Sequence, residues 1–336
     1  GLDFGTFQTK VSINHLDKYL QKHEFFEFGD EDNKSFFLPT KVFILNDGLV
    51  KYGSYDGQNI KNVFNYFKMA SAEDKRFLVA SEISNSIYNY KNSYEDFSPE
   101  FLAVLYITNV LLLIRSQYDK KINSETSTSL GLFSKLRKQK VELNNFIVRM
   151  GIPTEYSKEA NYLRRRKFET ILLISEMIQK KFEYSLNEYL KQDVDNLKKI
   201  VIEFNKQIPS NTNDFEEFLI ESQLSVFPES AAGLLYFVKS GKLERAKMYA
   251  AIDIGGGTSD MSFFNVLPNG RIKYIASESY MVACNNIYLN YNSNTNRILE
   301  NIKITEDKII KLIQNKGWEK DDNYTESVLT VRRQIG

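Results

Sequence analysis

The chain has 336 residues, enough for two or more domains, and its 42% hydrophobic and 26% charged content is ordinary for a soluble globular protein. A net charge of +1 gives no electrostatic case for nucleic acid or an anionic membrane, so neither is expected as a partner. One cysteine, Cys284, excludes an internal disulfide and fits a reducing, cytoplasmic setting; with only His15 and His23 beside it, a soft metal site is not expected.

Residues 1–55 read as short strands. GLDFGTFQTKVSI alternates about a Gly-Thr turn, FFEFG follows, and LPTKVFIL leads through NDG into LVKYG. From Asn59 the spacing turns helical, in IKNVFNYFKMA and again in KRFLVASEISNSIYNY. Ser98-Pro99-Glu100 is a helix start, with a capping hydroxyl, proline at the first position and an early acid. The apolar run at 101–114 falls short of the roughly 20 residues a membrane span takes, and predicts a buried helix over 100–117. NSETSTSLGL, residues 123–132, reads as strand or loop.

Residues 155–206 predict almost continuous helix, with Ile171, Ile174, Ile178 and Phe182 at three-to-four spacing. IPSNTND breaks it. LSVFPES predicts a strand, AAGLLYFV a small-residue helix, and MSFFNVL and RIKYIASESYMV two strands about a PNG turn. EDKIIKLIQNK predicts a closing helix. The basic cluster LRRRK, residues 163–167, lacks interleaved aromatics and reads as a solvated helix face rather than a nucleic-acid patch.

Two turns carry the chemistry. Asp3-Phe4-Gly5-Thr6 opens the chain, and Asp253-Ile254-Gly255-Gly256-Gly257-Thr258 stands in AAIDIGGGTSDMSFF; each follows apolar residues and precedes an alternating strand. Three successive glycines cost backbone entropy and pack against nothing, so something must approach them closely. A tight turn of this kind aims backbone N–H groups into one concavity that suits an anion. Aspartate needs a cation before it can face phosphate, and magnesium takes phosphate oxygens while keeping most of its waters. Either turn alone is also what a plain hairpin offers; the pair in this order is the stronger signal.

These residues resemble a family. GLDFGTFQT is similar to the first phosphate motif of the actin and heat-shock-chaperone ATPase superfamily, and AAIDIGGGTSDMSFF to its second, in the version of the seventy-kilodalton chaperones. PESAAGLLYF resembles the connecting helix before that motif, and LPTKVFIL and FSPEFLAVLYI match a proline-led strand and a proline-started helix. The resemblance covers about residues 1–118 and 222–283. It implies an α/β, duplicated ribonuclease H-like (actin-like ATPase) fold holding ATP and Mg2+ between two lobes. The first lobe is then expected at 1–245, with a helical insertion at about 155–206, and the second from 246 to 336.

The resemblance also implies roles. Asp3 and Asp253 bind magnesium through water; Gly5, Thr6, Phe7, Gly255, Gly256, Gly257, Thr258 and Asp260 belong to the phosphate loops, with Thr258 near the terminal phosphate. Lys68 resembles the chaperones' catalytic lysine by position and Lys10 the phosphate-contacting lysine of the actins; a solvated surface lysine is the other reading of each. Glu229 is the candidate for orienting the attacking water, with Asp3 or the catalytic candidate Asp253 as the alternatives. Here Pro228 precedes the acid, whereas the chaperones place the acid first, which turns the carboxylate by about 100°. A helix-start acid at the dipole is its other reading.

Further departures follow. SYMVACNNIYLNY, with Asn285 and Asn286, replaces the family's paired-glycine turn, and no adenosine-binding glycine motif is found by residue 336, so the second lobe is expected to be incomplete. The function expected is Mg-ATP binding with slow hydrolysis, driving a chaperone-like switch on a client polypeptide. The alternatives are a filament-forming actin relative, used in segregation or cell shape, and a degenerate non-catalytic scaffold; a sugar or acetate kinase ranks below these.

Overall fold

In this computed structural model the described residues are 1–14, 23–29, 33–65, 67–71, 97–128, 146–157, 162–230, 234, 237, 240–255, 259–269 and 271–280. They form a mixed α/β fold in two compact units. The first comprises Gly1–Glu73, Lys91–Ile152 and Tyr156–Pro228; the second comprises Asp74–Tyr90, Pro153–Glu155 and Glu229–Gly336.

The first unit is built on a six-stranded sheet. Strand β1 (Leu2–Phe4) turns back into β2 (Gln8–Asn14), and β2 pairs antiparallel with β3 (His23–Phe25) and β4 (Leu38–Pro39). On the other side of β1 lie two parallel strands, β8 (Val148–Ile152) and β9 (Leu224–Pro228), giving the order β3-β2-β1-β8-β9. Leu2, Met150 and Val226 stand side by side in this register, so Phe4, Ile152 and Pro228 end neighbouring strands at one edge. A second sheet joins β5 (Lys41–Leu45) to β6 (Val50–Tyr52) and β7 (Ile60–Asn65), all antiparallel.

β7 corrects the helical reading of residues 59–70. Its three-to-four apolar spacing is overridden by pairing with β5 from Lys41↔Asn65 to Leu45↔Ile60, which buries Phe64; helix begins only at α1 (Phe67–Ser71). KRFLVASEISNSIYNY, EDKIIKLIQNK, Cys284, Asn285 and Asn286 lie outside the described residues.

Helix α2 (Pro99–Thr128) is the central pillar. The Ser98 hydroxyl accepts the Phe101 N–H at 3.2 Å, as the sequence predicts. Leu102, Leu105, Ile107, Val110 and Leu112 are wholly buried. Pro99–Tyr118 is apolar and long enough to cross a membrane by length and composition alone, but 78% of that window is buried inside the fold. The helix continues through residues 123–128, which corrects the strand-or-loop reading there.

Beside α2 runs α3 (Tyr162–Lys181), whose Phe168, Ile171, Leu172, Ile174 and Ile178 belong to the same core. Between the two helices Arg115 is buried, donating to Gln179 at 2.9 Å and Glu176 at 3.2 Å, with its guanidinium over the rings of Phe146 and Tyr184. The helical reading of 155–206 holds with interruptions. Glu183 and Tyr184 take left-handed backbone (φ 49° and 59°) and end α3 before α4 (Leu186–Leu190) and α5 (Val194–Asn205). IPSNTND ends α5, and Asn211 caps α6 (Thr212–Glu221).

In the second unit β10 (Lys247–Ile254), β11 (Ser259–Val266) and β12 (Ile272–Tyr280) form an antiparallel sheet. One face packs Leu234, Phe264 and Val266 with Tyr249 and Tyr274; on the other, Met248, Ile252, Ile254 and Phe263 are exposed.

Candidate functional site

The first turn, Gly5-Thr6-Phe7-Gln8, joins Phe4 to Thr9, which are register partners. A Cβ at Gly5 would stand 2.2 Å from the Gln8 carbonyl oxygen, so the turn's own backbone demands glycine there. The Gly5 N–H donates back to the Asp3 carbonyl at 3.0 Å. Thr40, the residue between β4 and β5, holds the turn from beneath: its N–H donates to the Phe7 carbonyl and its hydroxyl to the Gly5 carbonyl, both at 2.8 Å. Asp3 lies across the hairpin from Lys10, and the two side chains, each about half exposed, form an ion pair at 3.7 Å. The Lys10 ammonium also lies over the Phe37 ring at 5.4 Å.

The second turn repeats that register. Ile254 pairs with Ser259 and Asp253 with Asp260, leaving Gly255-Gly256-Gly257-Thr258 as a connection of the same length. Gly256, Gly257 and Thr258 lie outside the described residues. Asp253 is exposed and Asp260 buried. Here a carboxylate, not a lysine, stands opposite the aspartate. Like charges at paired positions disfavour each other, and a cation nearby relieves that. Hard carboxylate oxygens such as those of Asp3 and Asp253 suit magnesium, and no group of three metal-ligating side chains occurs among the described residues.

Lys68, on α1, is buried rather than a solvated surface lysine, with its ammonium 5.7 Å from the centre of the Phe4 ring. Glu229 is half-buried; it, Ser230, Leu234 and Phe237 are all helical. The Ser230 hydroxyl lies 2.5 Å from that of Thr154 and 3.2 Å from that of Tyr274, a three-hydroxyl cluster in the second unit. Burial raises the Tyr274 phenol, against the pull of its Ser230 hydrogen bond.

LRRRK is occupied by its own fold: Arg164 lies over Tyr156, Arg165 donates to Glu169 at 2.7 Å, and Arg166 donates to the Pro209 and Ser210 carbonyls from above Phe215. Thr40 and the hydroxyl cluster carry no motif. A threonine beside a proline-led strand reads simply as strand propensity, so sequence reasoning misses them.

No protein-family model matches the chain, and no curated protein matches it. Among solved structures it is similar to MreB 5 of Spiroplasma citri bound to AMPPNP, at 12% identity and a TM-score of 0.38, over 93% of this chain and 60% of that one. It is also similar to a pCBH ParM non-polymerisable quadruple mutant, at 15% identity and a TM-score of 0.39, over 99% of this chain and 80% of that one. The chain thus spans less than two thirds of the first of these. Likenesses this low carry no weight for the chemistry of a site, and the expected kinship with the seventy-kilodalton chaperones finds no support in them.

Proposed function

We propose that the chain binds Mg-ATP through its two glycine turns and hydrolyses it slowly. The observation that carries this reading is the shared register of the two hairpins: each sets an aspartate two residues before a turn of equal length. The sheet of the first unit lends further support. An antiparallel β1-β2-β3 meander continued by parallel strands on the far side of β1 is what a ribonuclease H-like lobe requires.

In this reading the turns take the phosphates, and Asp3 and Asp253 hold magnesium through its waters. Asp260 belongs with the second turn. Lys68 is placed ahead of Lys10 as the group that stabilises charge on the transferred phosphoryl: it is fixed by burial against the residue preceding Gly5, whereas Lys10 is engaged by Asp3. Glu229 orients water. The test is phosphate release from Mg-ATP by the chain and by K68A. Release that falls at least ten-fold in the variant supports the reading, and release that is unchanged removes Lys68 from it.

The use we put first is assembly of copies of this chain, ahead of a chaperone-like use. Among the described strands β3 lies at the end of its sheet, and Phe25 on it is 65% exposed, edge-on to an exposed Phe36. An apolar sheet edge of this kind favours association. Light scattering that rises on adding Mg-ATP, and rises less in F25S, supports assembly; flat scattering at all concentrations counts against it.

A further inference from the structure

We propose that Thr40 is a positioning residue for the first turn, and that its two hydrogen bonds keep the turn's carbonyls away from a bound phosphate. The inference rests on the nucleotide reading above and adds a residue to it. A turn of four residues offers both N–H donors and carbonyl acceptors. It binds an anion only when the carbonyls are turned away.

In the first turn that condition is met from below. The Gly5 and Phe7 carbonyls are both taken by Thr40, one by its hydroxyl and one by its N–H, each at 2.8 Å. Among the described residues the N–H groups of Thr6 and Phe7 have no backbone partner. Thr40 itself is fully buried, so its hydroxyl has no water to turn to.

The proton order in the cluster is fixed by valence. A threonine hydroxyl has a single proton, and that of Thr40 goes to the Gly5 carbonyl. The Thr9 hydroxyl, 3.2 Å away and wholly buried, therefore donates to Thr40. Tyr106 on α2 closes the cluster by donating to the Leu38 carbonyl at 3.2 Å. The turn is thereby tied to the central helix through Thr40, the backbone of Leu38 and the Tyr106 hydroxyl. Valine at position 40 has the same shape and keeps the N–H bond to Phe7, but releases both the Gly5 carbonyl and the Thr9 hydroxyl.

The experiment is calorimetric titration of Mg-ATP into the full chain and into T40V, T40S and T108V, with amide nitrogen shifts followed at Thr6 and Phe7. Thr108 is a buried threonine of α2 that bonds within its own helix, so T108V controls for the loss of a buried hydroxyl as such. The expected result is affinity weakened about ten-fold in T40V and within about two-fold in T40S and T108V, with the ligand-induced amide shifts lost only in T40V. If T40V does not fold, T40C, a weaker donor, replaces it with an expected loss of about three-fold. Equal affinity in T40V, or in T40C where it stands in, overturns the positioning role and leaves nucleotide binding standing. No binding by the unaltered chain overturns both.

Discussion

Asp3 and Lys10 face each other across the first turn, register partners on β1 and β2 whose charged ends lie 3.7 Å apart. The equivalent partner of Asp253 is Asp260. The first hairpin therefore sets a lysine opposite its aspartate, and the second sets another aspartate there. An exposed pair contributes only about 0–1 kcal/mol to stability. K10A is thus expected to leave the melting temperature almost unchanged and, since Lys10 is engaged by Asp3, to change Mg-ATP affinity by no more than about three-fold. Calorimetry beside a thermal melt checks both halves.

Gly5 is the least replaceable residue of that turn. A methyl group there meets the Gln8 carbonyl oxygen at 2.2 Å, and backbone, not a flexible side chain, has to move. G5A is expected to destabilise the chain by about 1–3 kcal/mol, read from denaturant unfolding.

Arg115 ties α2 to α3 through Glu176 and Gln179 with almost no exposure of either charged side chain. Removing one member of a buried pair leaves the other uncompensated. R115M is expected to cost about 3–5 kcal/mol in denaturant unfolding, far more than the exposed Lys191–Glu188 pair, where K191A is expected to cost about 0–1 kcal/mol.

Burial pushes the Glu176 carboxyl above its ordinary 4.5, with Arg115 and Lys180 pulling the other way. The folded chain then holds that proton more tightly than the unfolded chain does. The contribution of this group to stability is whole below 4.5 and is lost as pH rises through the folded value. E176Q removes that loss, so the denaturation midpoint of the variant is expected to fall less than that of the unaltered chain between about pH 4 and 7.

The strands about both turns were legible because alternation and glycine punctuation are local signals, and so was the Ser98 cap. What escaped depends on partners distant in sequence. β7 has helical spacing and becomes a strand only by lying against β5. β8, with glycine inside it, fills the place between β1 and β9 without announcing itself. Lys68 resembles a catalytic lysine by position, with a solvated surface lysine as the other reading, and only the packing of Phe4 beneath it decides against the surface. Thr40 reaches Gly5 across 35 residues, and nothing in LPTK marks a hydroxyl aimed at another turn's carbonyl.

The measurement that bears most directly on nucleotide binding is a calorimetric titration of Mg-ATP into the chain beside its Asp253→Ala variant, each with magnesium and with a chelator. Binding that needs magnesium and disappears in the variant is the result predicted. Heat that is absent from the unaltered chain, or that is the same in both proteins, contradicts it and reduces the two glycine turns to hairpins.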